Sequence, residues 1–100
     1  MARRQFQDVF EDVLVGSVTA DLANVADGDE VAQSITVTGA ALGDFVLVSC
    51  SIDTADGTLT GTVTSADTVE IVLANNTGSG LNLGSATFKA IVLSPRADLF

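Results

Sequence analysis

From Gly16 onward the chain changes character at every second residue, and this alternation confines it to one class of fold. Val31, Gln33, Ile35 and Val37 share one side of an extended segment, with Ala32, Ser34, Thr36 and Thr38 on the other. Val46, Val48, Cys50 and Ile52 alternate with Phe45, Leu47, Ser49 and Ser51. Leu59, Gly61 and Val63 alternate with Thr58, Thr60, Thr62 and Thr64, a threonine ladder expected to face solvent at a sheet edge. Val69, Ile71 and Leu73 point one way and Thr68, Glu70 and Ala74 the other, and Phe88, Ala90 and Val92 oppose Lys89, Ile91 and Leu93. A further alternating run, 17–25, carries Val18, Ala20 and Leu22. A period of two is that of a half-buried strand, because successive side chains leave a pleated backbone on opposite faces.

Turn-forming clusters separate the runs: ADGDE, GAALGD, DTADG, Ser65-Ala66-Asp67 and NNTGSG, with Leu81 and Leu83 placed to pin the last of these. Strands at such spacing imply an all-β fold, a small antiparallel sandwich or barrel of about six to seven strands. The alternation does not choose between the two, nor does it set strand order. The strands at 45–52 and 86–93 are apolar on both faces, which calls for cover from another segment or a sister subunit. Phe45, Leu47, Ile91 and Leu93 are the candidates for a subunit interface.

Residues 1–15 read differently. Phe6, Val9, Phe10, Val13 and Leu14 recur at the spacing of one helical stripe, with Gln7, Asp8, Glu11 and Asp12 between them and Gly16 as a stop. The expected organisation is an N-terminal arm over 1–15, with the period of a short amphipathic helix, and a β domain over 16–100. An isolated helix of this length is marginal in water, so the arm requires a surface to lie on. Arg3, Arg4, Phe6, Val9, Phe10, Val13 and Leu14 are its candidate binding residues.

The formal net charge is −9, from four basic and thirteen acidic residues, and this argues against nucleic acid and anionic membranes as partners. MARRQF is not followed by the apolar run of a secretory signal, and no apolar run approaches a membrane span. There is no histidine, which removes the usual general base and the commonest zinc ligand. The lone cysteine, Cys50, alternates with valines and reads as a core residue. The acidic turns, Asp27-Gly28-Asp29-Glu30 and Asp53 with Asp56, do not have the spacing of a calcium loop; such residues commonly bond their own backbone. Asn75-Asn76-Thr77 matches a glycosylation sequon by coincidence. GAALGD fails as a phosphate cradle, because a strand rather than a helix follows it and no basic residue is near. Gly39 and Gly43 are expected to permit a turn that Asp44 ties. No catalytic, cofactor or metal residues are assigned, and an enzyme is not expected.

The order SITVTGAALGDFVLVSCSID, a turn, then LTGTVTSADTVEIVLANNTGSGLNLGSATFKAIV resembles a family of small β-sandwich virion proteins of tailed bacteriophages, of the capsid decoration or cement type. Residues 34–92 carry the resemblance, 16–30 follow it more loosely and 1–15 do not match. It implies a non-enzymatic protein, made in the host cytoplasm, that sits as a homotrimer on the outside of the virion capsid. There it would reinforce contacts of the major capsid protein, the arm serving as a clamp. Alternatives are a tail or head-fibre structural protein, or a carbohydrate or host-surface binding module; the chain has neither Trp nor Tyr for sugar stacking.

Overall fold

The computed structural model describes residues 8–99. Six strands occupy them: β1 (Phe10–Asp21), β2 (Glu30–Thr36), β3 (Phe45–Cys50), β4 (Thr58–Ser65), β5 (Thr68–Ala74) and β6 (Ser85–Pro95), followed by a short 3-10 turn, Ala97–Leu99. They form two three-stranded sheets ordered β1-β6-β3 and β2-β5-β4, with every pairing antiparallel. The molecule is an all-β sandwich.

The inward faces follow the alternation. Leu14, Gly16, Val18 and Ala20 of β1, Ala86, Phe88, Ala90 and Val92 of β6, and Val46, Val48 and Cys50 of β3 line one side of the core. Ile35 of β2, Val69, Ile71 and Leu73 of β5, and Leu59 and Val63 of β4 line the other. Each central strand carries the most deeply buried residues, Phe88 and Val92 on β6 and Val69 and Ile71 on β5. Leu81 pairs with Val25 in an isolated bridge and both are buried, so the polar loop is pinned as its leucine suggested. Thr58, Thr60, Thr62 and Thr64 are exposed on the edge strand β4.

Three expectations need correction. Phe10–Val15 are not a helix but the first half of β1, so no boundary falls at residue 15. The helical stripe and a strand share residues here: Leu14 points into the core while Val13 and Val15 point out, and a register shift between Phe10 and Asp12 accommodates the extra residue Glu11. Pairing with β6 over the whole length outweighs a local period that an isolated segment could not stabilise. Gly16 is therefore not a stop. A Cβ there would lie 2.5 Å from the Thr36 carbonyl oxygen and 2.7 Å from a Val37 methyl, so glycine is needed where β1 crosses the end of β2. Third, β3 ends at Cys50, and Ile52 lies beyond it, 40% exposed, rather than in the core. Of the arm residues, Arg3, Arg4 and Phe6 lie outside the described residues; Val9 keeps a helical backbone just ahead of β1, and Phe10, Val13 and Leu14 belong to β1 itself.

Candidate functional site

The outer face of the β1-β6-β3 sheet is built in rows, because aligned residues of three antiparallel strands lie side by side. Register places Val13, Leu93 and Phe45 in one row, Val15, Ile91 and Leu47 in the next, then Ser17, Lys89 and Ser49, with Thr19 beside Thr87 after that. One half of the face is thus aliphatic and aromatic, the other hydroxylic with one ammonium. Val15 is 72% exposed and Leu47 60%, and Val13, Phe45 and Ile91 are also exposed. Leu93 is the exception among the four expected interface residues: it is half-buried. Phe10 and Phe45 meet edge to face at 6.0 Å at that end of the sheet, on the two strands that flank β6.

Where the apolar and polar halves join, the face holds a shallow depression of about 450 Å3. Val15, Leu47, Ile91 and Ala90 contribute its apolar lining and Ser17, Ser49 and Lys89 its polar rim. Among the described residues the cations are Lys89 and Arg96, and Arg96 is engaged: its guanidinium donates to the Asp98 carboxylate at 2.9 Å and to the Asp8 carbonyl at 2.8 Å. Lys89 forms no ion pair or side-chain hydrogen bond with a described residue, so its charge is presented outward.

The GAALGD loop sits at the apolar end of this sheet. Gly39 and Gly43 both take φ +95, the left-handed conformation expected of them. Asp44 ties the loop as its position suggested, its carboxylate accepting the Ala41 amide at 3.0 Å and the Ser94 hydroxyl at 3.3 Å. A second tie was not visible in the spacing. Asp67, from the β4–β5 turn, accepts the Gly39 amide on its carboxylate at 2.7 Å, and its own amide donates to the Ala40 carbonyl at 2.9 Å. The loop is therefore fixed from both sides, with Ala40 buried beneath it. At its tip Leu42 is 71% exposed, a large aliphatic side chain on a rigid turn.

At the opposite end, Asn75 is fully buried and every polar atom of its amide is used. The nitrogen donates to the carbonyls of Val25 at 2.8 Å and Ser79 at 2.7 Å; the oxygen accepts from the Thr77 amide and hydroxyl. This residue folds the β5–β6 loop on itself and locks it to the β1–β2 loop, and the apparent sequon is a structural hub. Asp53 accepts the Ala55 amide two residues on, in the manner of a turn carboxylate, whereas Asp27 reaches across to accept the Gly78 amide of the β5–β6 loop. Neither protein-family models, nor curated proteins, nor solved structures match the chain.

Proposed function

We propose that this chain is a capsid decoration protein of a tailed bacteriophage, bound as a trimer on the outer surface of the major capsid protein shell and stabilising the head. The observation that carries the reading is the apolar half of the outer β1-β6-β3 face, taken with the family resemblance of residues 34–92. Val13, Val15, Phe45, Leu47 and Ile91 are exposed together on one sheet face, which in a 100-residue acidic protein marks a place of contact rather than a solvated face. Phe45, Leu47 and Ile91 serve the contact between subunits, with half-buried Leu93 beside Phe45 in the same row. The net charge of −9 keeps unassembled copies apart, and the apolar rows act only at close range. Arg3 and Arg4 are two of the chain's four basic residues and supply the charge for engaging the shell. The depression offers less to a carbohydrate, because its lining contains no aromatic ring.

The test is co-sedimentation of the purified protein with capsids that lack it, followed by heating. Decorated heads should resist higher temperature than bare ones. A protein that never sediments with capsids, at any concentration, removes this reading.

A further inference from the structure

We infer that copies of this chain join head to tail, with Leu42 at the tip of the GAALGD loop of one copy seated in the Val15–Leu47–Ile91 depression of the next. The inference deepens the trimer reading above by naming the two halves of its subunit contact. Three observations lead to it. Leu42 is 71% exposed, yet its loop is held rigid by Asp44 and Asp67, so an aliphatic knob is presented without further loss of loop entropy on binding. The depression of about 450 Å3 is aliphatic and does not include the chain's own Leu42 among its lining residues. The charges also match: the carboxylates of Asp44 and Asp67 accompany the knob, while Lys89, unpaired among the described residues, stands at the rim of the hole.

Knob and hole lie on different parts of the surface, the one on the loop before the edge strand β3 and the other on the sheet's broad face. A contact between unlike surfaces is heterologous, and it closes into a ring when the rotation between neighbours permits. This differs from two apolar faces pressed together about a two-fold axis, which would set Lys89 against carbons or against its own copy.

The experiment separates the two. Wild type, Leu42→Asp and Leu47→Asp are each run in sedimentation velocity over a concentration series, with circular dichroism to verify folding; Leu42→Ala and Lys89→Glu are the milder second variants. Wild type should associate. Leu42→Asp and Leu47→Asp should each remain monomeric, and Leu42→Ala should weaken association about tenfold or more. Mixed together, the two Asp variants should form a complex of two chains, because the intact Leu42 of one fits the intact depression of the other. Wild-type assembly by the Leu42→Asp protein, absence of a mixed complex, or a wild type that stays monomeric throughout would each overturn the contact. Capsid co-sedimentation is read separately on the same samples. A Leu42→Asp protein that assembles and still decorates capsids defeats only this inference, whereas a wild type that assembles through Leu42 but ignores capsids supports it and defeats the decoration reading.

Discussion

At the scale of single residues, the positions that govern this molecule are those where a side chain, or its absence, has no substitute. Asn75 uses both halves of its amide inside the protein. Replacing it with Asp removes two donors and aims a carboxylate at two carbonyl oxygens, so Asn75→Asp should destabilise the fold by about 2–4 kcal/mol, read as a lower urea midpoint. An unchanged midpoint would mean the two loops hold without their hub. Gly16 and Gly61 mark the two places where the sheets come closest, β1 over β2 and β3 over β4. They differ in what a methyl group would strike. At Gly16 it meets the Thr36 backbone, which cannot yield; at Gly61 it meets the Val48 side chain, closer than carbon atoms can lie, but able to turn aside. Gly16→Ala should therefore cost about 2–3 kcal/mol and Gly61→Ala less, in thermal melts of the two variants. Alternation placed Gly61 on the inner face, but a close approach between strands distant in sequence leaves no local mark, and Gly16 looked like a terminator for that reason.

At the scale of elements, alternation was enough to assign the faces of β2 to β6, because a period of two survives whatever the neighbouring strand is. It failed at β1, where Phe10, Val13 and Leu14 fit a helical stripe as well as a strand with one extra residue, and only the partner strand decides. The consequence for deletion variants is direct. Removing residues 1–7 leaves all of β1, so the truncated protein should melt within a few degrees of the full chain. Removing residues 1–15 takes away Phe10 to Val15, which pair with β6 from Pro95 to Ile91, and should lower the melting temperature substantially. Equal melting temperatures for the two deletions would show that the first half of β1 contributes nothing. The exposed apolar rows were partly legible: Phe45, Leu47 and Ile91 stood out as the second apolar face of their strands, while Val13 and Val15 were hidden by the helical reading of their segment. Leu42 stood in plain view within GAALGD, but its exposure depends on the Asp67 tie from a turn more than twenty residues away, which no spacing within the loop announces.

At the scale of the whole molecule, strand order was beyond the reach of the sequence, since a strand's alternation says which face is buried and nothing about who lies beside it. The order β1-β6-β3 joins the first strand, the third and the last, and only β4 and β5 are joined by a short turn. Placing β6 at the centre of its sheet has a consequence for how the protein is made. Until Ser85–Pro95 have left the ribosome, neither β1 nor β3 has any strand to pair with, and Phe88, the largest fully buried side chain among the described residues, is missing from the core. A nascent chain that ends at Gly84 should be digested by protease as readily as an unfolded one, and the full chain should acquire resistance in a single late step. During synthesis the apolar rows and the core strands are exposed together, so the interval before the eleven residues of β6 emerge is when this acidic chain most depends on its own charge to stay apart from its neighbours.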